Sequence, residues 1–184
     1  MGRRGDSPMN LVLIGYRGAG KSTVGKQLAE RLGMRFVDTD DLVAKRHGCS
    51  IAQMVESRGW DYFRAAEKAV ITEISGLDNL VIASGGGSVL DEENVNSFRK
   101  NGLILWLEAD PEVLLKRLRS DPKETFQRPS LTGKDLSEEL QEVLTYRKPL
   151  YERASSFRID TSGLSEEAVV EEIWCLLKKR SGGG

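Results

Sequence analysis

The sequence contains very little cysteine and histidine. Its 184 residues include two cysteines, Cys49 and Cys175, and a single histidine, His47. The two cysteines lie far apart and form no Cys-x-x-Cys pair, so neither a structural metal site nor a disulfide framework is expected. Reduced thiols, as in a cytoplasmic protein, are the simpler interpretation.

Long apolar runs and an excess of one charge are also absent. The run near the middle of the chain, residues 103–107, has five apolar residues, whereas a transmembrane helix needs about 20. Lysine and arginine together number 27 and aspartate and glutamate 28, so the basic excess typical of nucleic-acid-binding proteins is missing. We therefore expect a cytoplasmic monomer with a small-molecule ligand, and neither a membrane nor a nucleic acid as partner.

The composition is that of one ordinary domain. A chain of 184 residues with 39% hydrophobic and 30% charged residues is close to the usual size and make-up of a single globular unit. We predict a disordered leader over residues 1–9, one domain over residues 10–180 and a flexible tail over residues 181–184.

Apolar runs alternate with helical patterns along this domain. Residues 11–14 form a continuous apolar run, which is typical of a strand buried on both faces. Val24, Leu28 and Leu32 then recur at helical spacing. Further strands are predicted at residues 36–37, 79–83, 103–107 and, at an edge, 157–159. This alternation predicts an α/β fold, a three-layer α/β/α sandwich around a mostly parallel five-stranded sheet.

The most informative motif follows the first predicted strand. Residues 15–23 read Gly-Tyr-Arg-Gly-Ala-Gly-Lys-Ser-Thr and fit the phosphate-binding pattern G-x-x-x-x-G-K-[ST]. Its backbone N–H groups and the N-terminus of the next helix can hold a polyphosphate. Lys21 is then expected to reach the β- and γ-phosphates of ATP, and Ser22 to bind Mg²⁺. The predicted ATP-binding residues of this P-loop are Gly18, Ala19, Gly20, Lys21, Ser22 and Thr23.

Aspartates and glycines follow the next two strands. Asp38, Asp40 and Asp41 come directly after the second strand, where one carboxylate could hold Mg²⁺ and another could orient or deprotonate an acceptor hydroxyl. The alternative is that Asp40 or Asp41 only caps a helix starting near Leu42. The three glycines at residues 85–87 end the third strand and would let a ligand lie against bare backbone, although a tight turn is the simpler alternative.

Four arginines are candidates for anion recognition, namely Arg64, Arg117, Arg128 and Arg147. Most arginines are solvated surface charges, but the planar guanidinium can bind a carboxylate through two hydrogen bonds. Arg128 lies in a polar stretch of residues 120–134 with two prolines and a glycine. We interpret this stretch as a mobile lid whose arginine neutralises charge during phosphoryl transfer.

The ordered combination of these motifs resembles the shikimate kinases, a P-loop family related to the nucleoside monophosphate kinases. The resemblance runs from about residue 10 to about residue 177. It is carried by the P-loop, Asp38-Thr39-Asp40, Phe63-Arg64-x-x-Glu67, Gly85-Gly86-Gly87, Arg128-Pro129 and Arg147-Lys148-Pro149-Leu150-Tyr151. Two features depart from the family. Ser130 and Leu131 follow Pro129, where the family often has two leucines, and the stretch from Arg117 to Arg128 is longer than in compact members.

The resemblance implies phosphorylation of the 3-hydroxyl of shikimate by ATP with Mg²⁺. It further implies a role for each motif residue. Asp40 would hold two hydroxyls and serve as a base, Arg64 and Arg147 would bind the carboxylate, and Gly85, Gly86 and Gly87 would contact the ring. Asp38 would join Ser22 around Mg²⁺, Lys21 and Arg128 would stabilise the transferring phosphoryl group, Arg117 would stack on adenine, and Glu67 would hold Arg64.

Three alternatives remain open on the sequence alone. The chain could be another small-metabolite or nucleotide kinase of the same fold, a non-catalytic ATP-binding relative, or one domain of a multifunctional enzyme. A non-catalytic relative would be expected to lack Lys21, Asp40 or Arg128, and all three residues are present.

Overall fold

The computed structural model describes residues 9–121 and 130–181. The parts of the predicted leader, lid and tail that fall on residues 1–8, 122–129 and 182–184 lie outside the described residues. The domain limits at residues 10 and 180 stay a prediction.

A single parallel sheet of five strands lies at the centre of the described residues. The strands are β1 (Asn10–Ile14), β2 (Arg35–Asp38), β3 (Leu80–Ala83), β4 (Gly102–Glu108) and β5 (Phe157–Asp160), in the order β2-β3-β1-β4-β5. All four neighbouring pairs are parallel. The predicted sheet is confirmed, and each strand end lies within one residue of its predicted position. β5 is an edge strand, as predicted.

Seven α-helices and one 3₁₀ turn, Ser88–Leu90, connect the strands within the described residues. The helices are α1 (Lys21–Leu32), α2 (Thr39–His47), α3 (Ile51–Ser75), α4 (Glu92–Asn101), α5 (Pro111–Ser120), α6 (Leu136–Ala154) and α7 (Glu166–Ser181). Among them, none combines the length and apolarity needed to cross a bilayer. The predicted helix start near Leu42 is wrong: α2 begins three residues earlier, at Thr39, because Asp38 caps it.

Alternate residues of the central strands face two separate cores. Leu11 and Leu13 of β1 pack on one side of the sheet with the helices α1, α6 and α7. Val12 and Ile14 pack on the other side with α3 and α4. All four side chains are buried, which explains why β1 reads as an unbroken apolar run. The predicted α/β/α layers are confirmed.

The carboxyl ends of the parallel strands meet at one edge of the sheet. β1 pairs with β3 on one side and with β4 on the other, so the loops after β1 and β3 are neighbours. β2 pairs with β3 and brings its own following residues to the same edge. Ligands of open parallel sheets bind at this edge, and the P-loop, the aspartates after β2 and the three glycines after β3 all follow strands that end there.

The first residue of β4 tests how tightly this sheet is packed. A methyl group at Gly102 would lie 2.6 Å from the carbonyl oxygen of Phe98 and 3.1 Å from Cγ2 of Val12. We expect Gly102→Ala to lower the free energy of unfolding by about 1–3 kcal/mol, since overpacking a close contact forces backbone shifts. The control is Gly163→Ala, where no atom lies within 4 Å. Equal urea midpoints for both variants and the wild type would contradict this packing.

Candidate active site

The P-loop between β1 and α1 wraps around the side chain of its own lysine. Gly15 and Gly18 have φ angles of 143° and 79°, which other residues rarely adopt, and a side chain at Gly15 would overlap the carbonyl oxygen of Leu107. The Nζ of Lys21 donates hydrogen bonds to the carbonyl oxygens of Gly15 at 2.8 Å and Tyr16 at 2.9 Å. The lysine is therefore fixed at the mouth of the loop, beside the N-terminus of α1.

Asp38 links the P-loop to the end of β2. Its Oδ2 accepts a hydrogen bond from Oγ of Ser22 at 2.6 Å. Its Oδ1 accepts from the backbone N–H groups of Asp40 and Asp41 at 3.0 and 3.3 Å and so caps α2. The alternative that Asp40 or Asp41 only caps a helix is thus wrong, because Asp38 has that role. Asp40 is left to line the neighbouring cavity.

A cleft of about 1130 Å³ opens on one side of the P-loop. Besides residues 17–24, it is lined by Asp38, Arg117 and Thr161. Arg117 lies at the wall of this cleft, and its predicted stacking on adenine stays a prediction. Its guanidinium donates to the carbonyl oxygens of Gly18 at 3.3 Å and Thr161 at 2.9 Å. These contacts join the P-loop to the end of β5.

A smaller cavity of about 470 Å³ lies on the other side of the P-loop. All six predicted acceptor-binding residues line it, namely Asp40, Arg64, Gly85, Gly86, Gly87 and Arg147. These residues come from four separate parts of the chain, and the fold brings them together at one wall of the P-loop. Arg17 lines both this cavity and the larger cleft, so the two spaces meet at the P-loop. We call them the acceptor cavity and the nucleotide cleft.

One face of α3 supplies the charged and aromatic wall of the acceptor cavity. Trp60, Phe63, Arg64 and Glu67 are spaced three and four residues apart, which places them on the same side of a helix. Gly59, with a φ angle of 83°, interrupts the helix just before this face. The Nη1 of Arg64 donates to Oε2 of Glu67 at 2.6 Å, and the Glu67 side chain is fully buried. This pair confirms the predicted contact between Glu67 and Arg64.

The three glycines after β3 leave space that charged side chains fill. A methyl group at Gly85 would lie 2.5 Å from Oδ1 of Asp40 and 2.6 Å from Oε1 of Glu67. A methyl group at Gly87 would overlap the guanidinium of Arg64. The glycines are thus needed for the approach of these side chains, which the alternative of a simple tight turn does not explain.

The helix α6 also contributes to the wall of the acceptor cavity. Arg147 is 7% exposed and lines the cavity. One helical turn later, the hydroxyl of Tyr151 donates to the carbonyl oxygen of Gly86 at 2.5 Å. Burial raises the pKa of Tyr151 to about 12, although the charge of Arg147 opposes this shift. The tyrosine therefore stays a neutral donor and holds α6 against the glycine loop.

Burial raises the pKa of Glu67 above its ordinary value. The charge of Arg64 opposes this shift and the charge of Asp40 adds to it. The Oε1 atom of Glu67 receives no hydrogen bond from the described residues. The cavity is therefore lined by a carboxyl group, that of Glu67, which burial makes harder to ionise.

Several lining residues were not identified from the sequence. Trp60 and Phe63 could have been found from their helical spacing with Arg64. Arg17 and Glu139 form an ion pair at 2.5 Å across 122 positions of the chain, and no local pattern indicates such a contact. Leu131 lines the cavity as well. Arg128 lies outside the described residues, so its predicted place in the site stays a prediction.

Comparisons with known proteins identify relatives of this chain in sequence and in structure. The sequence model of the family described as shikimate kinase matches residues 17–178. A shikimate kinase of Syntrophus aciditrophicus is 43% identical over 89% of this chain and 88% of that protein. Another, from Caldanaerobacter subterraneus, is 44% identical over 89% of this chain and 93% of that protein. The solved structure of the Acinetobacter baumannii shikimate kinase in complex with shikimate has a TM-score of 0.88 at 30% identity and covers 95% of both chains.

The buried carboxyl group predicts a measurable pH dependence of stability. Because the pKa of Glu67 is raised in the folded state, the folded protein holds this proton more tightly than the unfolded chain. The resulting stabilisation is present below the ordinary pKa of 4.5 and is lost as the pH rises through the higher folded value. The free energy of unfolding of the wild type, relative to that of Glu67→Gln, should therefore fall from about pH 5 to about pH 8.

Urea unfolding of both proteins across this pH range gives the comparison. The control is Glu73→Gln, since hydrogen bonding from Arg46 lowers the pKa of the exposed Glu73. Its difference from the wild type should stay nearly constant over this range, because Glu73 is ionised in both the folded and the unfolded state above its ordinary pKa of 4.5. A difference between wild type and Glu67→Gln that stays constant with pH would contradict the raised pKa.

Proposed function

Because the chain belongs to the shikimate kinase family, we propose that it transfers the γ-phosphoryl group of ATP to the 3-hydroxyl of shikimate. The observation that carries this proposal is that all six predicted acceptor residues line one small cavity beside the P-loop. The shikimate bound to the Acinetobacter baumannii relative supports the same acceptor.

We propose that the acceptor carboxylate lies between the two arginines of the cavity. Arg64 of α3 and Arg147 of α6 line the same cavity, and each guanidinium can form two parallel hydrogen bonds. Glu67 accepts a hydrogen bond from the Arg64 guanidinium at 2.6 Å and so limits its rotation. Two positive groups facing one space favour an acidic acceptor over a neutral sugar.

Asp40 is proposed to hold the hydroxyl groups of the acceptor. It is 8% exposed and faces the same cavity as the arginines. A carboxylate there can accept hydrogen bonds from two adjacent hydroxyls and can take the proton of the reacting one. The cavity is smaller than the cleft on the other side of the P-loop, as expected if the acceptor is smaller than the nucleotide.

The nucleotide is proposed to occupy the cleft on the other side of the P-loop. The backbone amides at the start of α1 and the ammonium group of Lys21 stabilise the negative charge of the phosphates. Arg117 lies at the cleft wall and is proposed to stack on adenine. Arg128 is proposed to neutralise the transferring phosphoryl group.

The oxygen atoms of Ser22 and Asp38 fit a magnesium site. They lie 2.6 Å apart, and hydroxyl and carboxylate oxygens are ligands that Mg²⁺ accepts. Among the described residues, no group of three or more His, Cys, Asp or Glu could hold a metal. Mg²⁺ in kinases is commonly bound by one or two protein oxygens together with substrate phosphates. Bound there, Mg²⁺ would neutralise phosphate charge, and Ser22 and Asp38 would orient it.

Other kinases of this fold are the main alternative. A coupled assay for ADP formation with shikimate, gluconate and nucleoside monophosphates as acceptors separates them. We expect turnover with shikimate to exceed that with every other acceptor by at least about a hundredfold, because its rigid ring holds a carboxylate for the arginines and hydroxyls for Asp40 at fixed positions. Gluconate is a flexible chain, and nucleoside monophosphates have no carboxylate. Turnover of a nucleotide or of gluconate at a similar rate would contradict the proposal, and no turnover would favour a non-catalytic relative.

A cytoplasmic location and a monomeric state stay predictions.

Loss of the P-loop ammonium group should abolish turnover without unfolding the protein. Lys21→Met keeps the length of the side chain, and the two hydrogen bonds that Nζ donates to Gly15 and Tyr16 lie within the loop itself. We expect kcat to fall by roughly a hundredfold or more, about 3 kcal/mol of transition-state stabilisation. If the folded variant kept more than about a tenth of the wild-type kcat, the role of Lys21 would be wrong.

Replacing the guanidinium of Arg147 by an ammonium group tests whether this side chain binds the acceptor carboxylate. Arg147→Lys keeps the charge but loses the planar pair of donors, so the KM for shikimate should rise by roughly tenfold or more while the KM for ATP changes little. Arg153→Lys, on the exposed side of the same helix, is the matched control. Shikimate methyl ester should be a poor substrate of the wild type and lose little more in the variant. An unchanged KM for shikimate would contradict the proposed binding of its carboxylate by Arg147.

A further inference from the structure

A short loop at residues 130–133 covers one side of the acceptor cavity. Leu131, in this loop, contributes its side chain to the cavity lining. The loop precedes α6, and Asp135 caps that helix. No strand or helix of the described residues includes the loop, so its position depends on the contacts of its polar groups.

Most of these contacts converge on one oxygen atom of Glu139. Its Oε2 accepts from the backbone N–H groups of Leu131 at 2.8 Å and Thr132 at 3.1 Å. It also accepts from the hydroxyls of Ser130 and Thr132. Glu139 lies in the first turn of α6, and its side chain is 1% exposed. A rigid helix thus holds the loop through a single buried carboxylate.

The second oxygen of Glu139 binds the P-loop. Oε1 accepts from Nη2 of Arg17 at 2.5 Å, and the Arg17 side chain is 11% exposed. Arg17 is the residue that lines both the acceptor cavity and the nucleotide cleft. One carboxylate therefore fixes two parts of the acceptor cavity, the Leu131 side and the Arg17 side.

The contacts also favour the charged form of Glu139. Burial acts to raise its pKa, but the hydrogen bonds from Ser130, Thr132 and Leu131 and the charge of Arg17 outweigh burial and lower the pKa overall. A carboxylate accepts hydrogen bonds with both oxygens, whereas an amide at this place would present N–H groups to some of the donors.

We propose that Glu139 is a positioning residue that sets the affinity for the acceptor by holding Leu131 and Arg17 at the wall of the cavity. This inference rests on the proposed function, since it assigns the acceptor to that cavity. Glu139 does not line the cavity, so its effect reaches the acceptor only through these two neighbours. On the nucleotide side of the P-loop, Lys21 donates to the carbonyl oxygens of Gly15 and Tyr16, and Ser22 donates to Asp38.

The test uses Glu139→Gln, with Glu142→Gln as the matched control. Glu142 lies on the same helix and binds Lys134, which follows the loop directly, at 2.6 Å. That pair is about half exposed and lies on the outside. The measurements are the KM values for shikimate and ATP, kcat, and residue-resolved hydrogen exchange of the Leu131 and Thr132 amides.

Glu139→Gln should raise the KM for shikimate by roughly ten- to a hundredfold, the range expected for losing hydrogen bonds to a charged group. The KM for ATP should rise by a smaller factor than the KM for shikimate, because Arg17 also lines the nucleotide cleft whereas Leu131 lines the acceptor cavity. The kcat at saturating shikimate should change less than about threefold, and the two amides should exchange at least about tenfold faster. Glu142→Gln should change none of these values. A residue with a merely structural role would lower the melting temperature and leave the KM for shikimate unchanged, which would overturn the proposal.

Two further comparisons distinguish a failure of the proposed function from a failure of the role assigned to Glu139. If the wild type did not phosphorylate shikimate, the proposed function would fail, while unchanged exchange of the two amides in Glu139→Gln would independently overturn the role of Glu139. If Glu139→Gln did not fold, Ser130→Ala would replace it, because Ser130 is exposed and donates one of the bonds to Glu139. It should raise the KM for shikimate by a smaller factor of about threefold, and no change would again overturn the proposal.

Discussion

The arrangement of the acceptor cavity depends on the missing side chains of Gly85 and Gly87. Any Cβ atom at Gly85 would occupy the space that the carboxylates of Asp40 and Glu67 approach, and at Gly87 the space of the Arg64 guanidinium. Because neither position has a side chain, the buried Glu67, the guanidinium of Arg64 and the carboxylate of Asp40 can all line one small cavity. The carbonyl oxygen of Gly86 accepts a hydrogen bond from the hydroxyl of Tyr151. This bond fixes α6, which carries Arg147, against the glycine loop.

The P-loop divides the chemistry between two spaces. On one side, Lys21 and the start of α1 face the nucleotide cleft, where phosphate charge is to be neutralised. On the other side, Arg64 and Arg147 offer two forks for a carboxylate. Arg17 lines both spaces and is tied by Glu139, so the wall between donor and acceptor rests on a buried ion pair. Such a division explains how one fold can serve different acceptors by changing one side.

The sequence predicts those parts whose signal is local. β1 could be found because burial on both faces removes polar residues from it, and the P-loop because its glycines, lysine and serine have fixed spacing. The start of α2 could not be predicted, because three neighbouring aspartates could each accept hydrogen bonds from the first free amides of the helix. In the structure, Asp38 accepts them and also binds Ser22. The contact between Arg17 and Glu139 arises only when β1 and α6 come together, so no local pattern contains it.

The central claim is that the cavity orients shikimate with its carboxylate on the arginines and its 3-hydroxyl towards the P-loop. The position of the transferred phosphate tests this orientation most directly. Phosphorus and proton magnetic resonance of the product formed from shikimate and ATP should show a single phosphate ester on the 3-oxygen, in equal amount to the ADP released. Esters on the 4- or 5-oxygen, or inorganic phosphate in place of an ester, would contradict the account.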